Sequence, residues 1–196
     1  MKRVKRTTLV VAGGAAALYL LAQFASQPEL FWMAPAVVGH EAMHAITARL
    51  VGMDVARFGL GMGPVVRHLG RIGGTEIVLS KWPIGAYVGL TRSSHERAGA
   101  LRQIVVALSG VAFNLLFGAA LWVAGLYLAA VCSVLLALFN LAPVLPLDGG
   151  MALHHALSPR GQRALERHAR AMMVALCVLT GLIFLTLYIA LLTVGI

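Results

Sequence analysis

Charge is scarce in this sequence, and negative charge scarcest. Asp and Glu together number 7 in 196 residues, and no Asp, Glu, Lys, Arg or His occurs from Gln103 to Leu147. Charged residues make up 12% of the chain and hydrophobic ones 60%, where soluble domains carry about a quarter charged residues. That balance excludes an ordinary soluble domain and indicates an integral membrane protein. Cysteine is nearly absent too. Cys132 and Cys177 both sit in apolar runs, which excludes a disulfide framework or a cysteine zinc cluster and leaves them as small buried hydrophobes. There is no internal repeat, no low-complexity tract and no soluble domain.

What charge there is has a pattern. The net charge of +9 invites a nucleic-acid partner, but the basic residues fall into four groups, Lys2 to Arg6, Arg49 to Lys81, Arg92 to Arg102 and Arg160 to Arg170, separated by apolar spans. If consecutive spans reverse direction, all four groups lie on one side, and the positive-inside rule makes that side cytoplasmic. A membrane orientation accounts for the charge without nucleic acid.

Within the apolar run from Leu30 to Val51 stands Gly39-His40-Glu41-Ala42-Met43-His44. Histidines four apart share one helix face, one turn from each other. Both imidazoles can bind one zinc ion, with the intervening glutamate set to act as general base. The run is long enough to cross a hydrocarbon layer, and ionisable groups at such depth are costly unless functional. The bland alternative is a pair of polar residues satisfied inside a helix bundle. An open catalytic zinc takes three protein ligands, so a third is required.

The remainder organises around that span. Residues 1–29 form a basic start, an apolar stretch from Leu9 to Phe24 and an outer turn, Gln27-Pro28-Glu29. They read as an N-terminal transmembrane helix acting as a retained signal anchor, with a cleaved signal peptide as the alternative. Residues 30–157 form the core. From Gly52 to Leu90 the chain becomes glycine-rich, with polar–apolar alternation around Thr75 to Ser80 and a turn signal at Gly73-Gly74. A small β-hairpin or sheet at about 55–90 is predicted, dipping into the cytoplasmic face; a plain surface loop is the alternative. Thr91 to Arg102 is a polar cytoplasmic segment, Gln103 to about Leu126 a second core span, and a return crossing begins at Tyr127 after a very tight outer turn. Pro143, Pro146, Gly149 and Gly150 then break the helix around Asp148. Residues 158–196 comprise a basic amphipathic stretch to Arg170 at the cytoplasmic surface and a final span, Met172 to Val194. The expectation is an all-α polytopic membrane protein of about five transmembrane helices, a three-helix core plus one N-terminal and one C-terminal helix, with a small membrane-associated β element.

Depth singles out the third ligand. His40 precedes Arg49, Asn114 follows Arg102, and Asp148 precedes Arg160 by nine to twelve residues each, or roughly 14 to 18 Å of helix from the basic edge. Three spans thus carry their one odd polar group at one level, which points to Asp148 as the third ligand; a helix-breaking structural residue is the alternative. Gly110, Asn114 and Gly118 make a narrow stripe suited to close helix approach; Asn114 reads equally as a satisfied packing residue or as a neighbour of the metal. His68, His95 and His168 read as solvated; His154 and His155, about two turns after Asp148, get a bland reading as well, with a place on the water path as the lesser alternative.

The motif at His40 to His44, then Gly110-Val111-Ala112-Phe113-Asn114, then Asn140 through Pro143 and Pro146 to Leu147-Asp148-Gly149-Gly150, resembles the site-2 protease family of intramembrane zinc metalloproteases, in order and in span placement. The resemblance covers about Leu30 to Leu157. It implies one zinc held by His40, His44 and Asp148, a catalytic base at Glu41, and substrate or transition-state contacts at Asn140 and Asn114. The segment Trp82 to Val88, with Gly85 and Tyr87, is similar to the family's membrane-embedded β-loop and implies a substrate-holding role. It also implies a transmembrane protein substrate cleaved within or near its span, a lipid-bilayer setting in a prokaryotic cytoplasmic membrane, and no nucleic acid. There are departures. The outer turn before Tyr127 is too short for the PDZ domain many relatives carry, no CBS domain follows, and Met151 stands where a basic residue is common. Gating then falls to a separate regulatory or adaptor protein. A metal transporter or sensor, and a pseudoprotease that binds without cutting, are the competing readings.

Overall fold

The computed structural model describes residues 28–194; the expected first span and its basic start lie outside them. A short 3-10 turn, Pro28–Trp32, leads into α1 (Met33–Leu50). A pair of strands follows, β1 (Val55–Ile72) and β2 (Thr75–Leu90), and then α2 (Arg92–Arg97), α3 (Ala100–Val123), α4 (Tyr127–Asn140), α5 (Asp148–Ala156) and α6 (Pro159–Val194). The chain is mostly helical with one small sheet, in line with the expected class. Among the described residues, α3 is the helix long and apolar enough by itself to cross a membrane, and α4 is a shorter apolar helix.

Helix pairing follows from small residues. The buried face of α1 is Ala36, His40, His44 and Ala48, one residue every four. Alanine at either end lets the backbone of α3 approach, and the imidazoles fill what remains. On α3 the buried stripe includes Gly110, Asn114 and Gly118. A methyl group at Gly118 would press on the Val134 side chain of α4 at 2.9 Å, so glycine sets that spacing. The tight turn expected before Tyr127 is Ala124 to Leu126, with Leu121, Ala129 and Ala130 packed beneath it. Glu29 accepts hydrogen bonds from the Leu128 and Ala129 amides at 2.9 and 3.3 Å. A carboxylate there satisfies the free N–H groups at the start of α4.

The sheet is more compact than a simple hairpin. Both strands bend, β1 at Gly61 and Gly63 (φ 84° and 90°) and β2 at Gly85 (φ 77°), backbone conformations that a side chain would strain. The antiparallel hairpin therefore doubles back on itself. Arg57 lies opposite both Gly89 and Glu76, Phe58 opposite both Val88 and Ile77, and Leu60 opposite both Ala86 and Leu79. The turn at Gly73-Gly74 returns to the end of α1, where the Arg49 guanidinium donates to the Ile72 and Gly73 carbonyls and to Thr75 Oγ1 at 2.7–2.9 Å. Ala48, Met53, Val55 and Val106 form a small core joining the sheet to α1 and α3. Farther out, Glu76 is held by Arg57 at 2.8 Å and by His68 at 2.8 Å. The hydrogen bonds from Arg57 and His68 keep the Glu76 carboxyl below the usual carboxylate range. Their stabilisation is present above that range and is lost only as pH falls through the lowered pKa.

Three expectations need correction. The basic stretch to Arg170 and the final span are one continuous helix, α6, because no glycine–proline break separates them and arginine is a good helix former. α3 begins at Ala100 and ends at Val123 rather than running from Gln103 to about Leu126. The cysteines are not the buried hydrophobes expected: Cys132 is partly buried and Cys177 exposed.

Candidate metal centre

His40 and His44 reach the same point from successive turns of α1, their rings edge-on with centroids 4.8 Å apart. Asp148 reaches it from the first turn of α5. Its Oδ2 lies 2.9 Å from His40 Nε2 and its Oδ1 3.3 Å from His44 Nε2. One ligand atom from each of the three residues lies within 4.8 Å of the others. The helix break expected around Asp148 takes the form of an irregular segment, Leu141 to Leu147, that delivers the aspartate as the opening residue of α5. Gly149 and Gly150 permit this, since a methyl group on either would strike the backbone of Leu141 or Val144.

Each histidine is held from behind. His44 Nδ1 donates to the Val106 carbonyl at 2.7 Å, which fixes the tautomer with the Nε2 lone pair facing Asp148. His40 Nδ1 meets the carboxamide of Asn114 at 3.0 Å. Asn114 is wholly buried and its Oδ1 has no partner. A metal-bound His40 carries its proton on Nδ1, and the carboxamide orientation that turns Oδ1 toward the ring accepts it. Asn114 is anchored in turn, its carbonyl accepting from Ser133 Oγ at 2.9 Å. Replacing Asn114 with leucine should lower zinc affinity about 10- to 100-fold, with Asn114→Asp retaining more of it; zinc competition against a chromophoric chelator measures both.

The donor set suits a cation. Two neutral imidazoles and a carboxylate match an open zinc site. Asp148 Oδ2 is buried and, although close to His40, has no hydrogen-bond partner. On the α3 side there is deliberate space: a Cβ at Gly110 would lie 2.5 Å from His44 Nε2 and 2.6 Å from His40 Nε2. Converging donors, an orphaned oxygen and a hollow kept open by glycine are what a bound ion requires.

Beside the triad is a cavity of about 240 Å³, whose wall includes Glu41, His44 and Asp148 on one part and Tyr87, Val88 and Leu90 of β2 on another. Tyr87 thus faces the same space as Glu41. Gly85 sits at the bend of β2 against Met62 and is not part of the wall. Asn140 ends α4, with its amide donating to the Leu136 carbonyl of its own helix at 2.9 Å, and it too lies off the wall. His95 and His155 do line the cavity. For His95 this departs from the solvated reading; it sits in a polar, basic segment, and only the fold, which sets its ring beside His155 of α5, turns it inward.

Residues 29–129 and 119–184 match the profile of peptidase family M50. The chain belongs to peptidase family M50. Peptidases of this family are zinc metalloproteases, and among the described residues His40, His44 and Asp148 form a group that could hold a metal ion. Among solved structures, the M50 chain is similar to a site-2 protease from Methanocaldococcus jannaschii. The identity is 19% and the TM-score 0.51, over 84% of this chain and 71% of that one. At that identity the likeness is one of fold. Among curated proteins, none matches.

Proposed function

We propose that this M50 member is an intramembrane zinc endopeptidase that hydrolyses a peptide bond within or near a transmembrane segment of a membrane-protein substrate. The observation that carries the reading is the convergence of His40, His44 and Asp148 at a buried point, with Glu41 in the wall of the adjoining cavity. Zinc, when bound, supplies Lewis acidity toward the scissile carbonyl. Glu41 takes a proton from the attacking water and passes it to the leaving amine. His44 and His40 keep their orientation through Val106 and Asn114. Asn140 gives one N–H of its side-chain amide to the Leu136 carbonyl, and the second N–H is the one available to substrate or the developing oxyanion.

A transmembrane helix hides its carbonyls in its own hydrogen bonds and must unwind before cleavage. The segment 86–90 of β2 pairs with β1 on one side and borders the cavity. Its other edge suits strand addition by the unwound segment. Proline at Tyr87 or Gly89 should lower cleavage with zinc retained; unaffected cleavage removes the strand-edge role.

The setting that fits is a prokaryotic cytoplasmic membrane, with several crossings, the basic segments and sheet on the cytoplasmic side, and substrate access governed by a separate regulatory or adaptor protein. The deciding experiment reconstitutes the full chain in vesicles with a single-span substrate. Cleavage abolished by a chelator and restored by zinc supports the peptidase. Zinc flux across the vesicle without cleavage supports a transporter, and substrate binding without cleavage a pseudoprotease.

A further inference from the structure

Outside the triad, a second group of imidazoles gathers on the cavity wall. His95 comes from α2 and His155 from α5, and their ring centroids are 5.6 Å apart, inclined at 67°. Both line the cavity, both are partly buried, and neither side chain has a hydrogen-bond or ion-pair partner among the described residues. His154 packs edge-on against His155 at 5.3 Å. Its Nε2 is tied to Glu166 of α6 at 2.9 Å, while its Nδ1 is buried without a partner. Open imidazoles in a partly buried wall are unusual, because each leaves a donor and an acceptor to be satisfied.

The position of His95 is built rather than incidental. Gln103 donates from Nε2 to the carbonyls of His95 and Ala98 at 3.1 and 2.8 Å, which locks the end of α2 onto the start of α3. Ser94 and Thr91 tie the other side of α2 to Asp54. His155 is fixed by the packing of α5 beneath the Leu141 to Leu147 segment. Two rigid backbones therefore bring the rings together.

From this geometry we propose that His95 and His155 hold a second divalent transition-metal ion in the cavity wall, separate from the ion of the triad. Two imidazoles on one tetrahedral ion, each at about 2.0–2.1 Å, place their ring centres roughly 5 Å apart, close to the separation present here. Water from the cavity completes the coordination. Borderline-soft ions such as Zn2+ are the class that neutral imidazole selects. With two firm protein ligands against three, this site fills after the triad. On the peptidase reading given above, an ion there stands in the chamber that a substrate must enter, so that surplus metal slows access.

Zinc alone is the probe. The full chain in detergent, stripped and then titrated, should take up a tight equivalent and then a weaker one. His95→Ala with His155→Ala should lose the weaker equivalent and keep the tight one, and His40→Ala with His44→Ala should do the reverse. Should the paired variants misfold, histidine modification by diethyl pyrocarbonate on the wild type decides: saturating zinc should protect His95 and His155, and a level that fills only the triad should not. A single equivalent in the wild type, retention of the weaker one without His95 and His155, or labelling of both residues unchanged at saturating zinc each overturns the proposal. Failure of the triad reading looks different, since the tight equivalent would then be missing.

Discussion

Glu41→Gln should abolish measurable cleavage, a fall of about 10²- to 10⁴-fold in kcat, while the tightly bound zinc stays. The substitution keeps the side chain's size and removes only its ability to accept and return a proton. Nothing in the metal cradle depends on Glu41: His40 is oriented by Asn114, His44 by Val106, and Asp148 arrives from α5. Metal content and turnover therefore separate in this variant. Metal analysis gives the first quantity and peptide release from a single-span substrate in vesicles the second. Cleavage at the wild-type rate would move the proton transfer to another residue; loss of zinc together with cleavage would make Glu41 part of the cradle instead.

Gly110→Ala should strip the metal and the activity together. The added methyl would stand 2.5 and 2.6 Å from the two Nε2 atoms, in space that an ion about 2.0–2.1 Å from each nitrogen needs. Neither ring can retreat cheaply. His44 would give up its bond to the Val106 carbonyl, and His40 its contact with Asn114. The loss of zinc affinity should exceed the ~10- to 100-fold that removal of an outer hydrogen bond costs. Alanine is a better helix former than glycine by about 1 kcal/mol, so α3 itself is not weakened. Gly118→Ala, two steps along the same stripe, is the control. Its methyl would press on Val134 and disturb the pairing of α3 with α4, leaving zinc in place. Equal zinc content in Gly110→Ala and wild type would show that the hollow is not the ion's.

Much of this site was legible in the one-dimensional chain because a membrane interior makes polar groups conspicuous. His40, His44 and Asp148 stand out against apolar surroundings, and counting from the arginine borders brings them to one depth. Asn114 shares that depth, and the structure resolves its two readings by setting it against His40. The hairpin turn at Gly73-Gly74 and the tight turn before Tyr127 were legible too, since glycine and a doubled apolar run leave few alternatives. The doubling-back of the sheet was not, because it depends on where the two long strands bend, at Gly61, Gly63 and Gly85, and on the second pairing those bends bring to Arg57, Phe58 and Leu60. The placement of Asn140 and Gly85 off the cavity wall was equally hidden. A motif specifies residue type and spacing, whereas a side chain's direction is decided by which acceptor it reaches first, for Asn140 the Leu136 carbonyl.

The sequence by itself determined the solvent of this protein, the order of its elements and the three residues that converge on one buried point, because burial in hydrocarbon penalises every polar group that has no task. Only the tertiary structure decided which group each histidine's Nδ1 meets, where space for an ion is kept open at Gly110, and that His95 and His155 meet. Those properties depend on distances of a few ångströms between backbones far apart in the chain, set by how closely small residues let the helices pack.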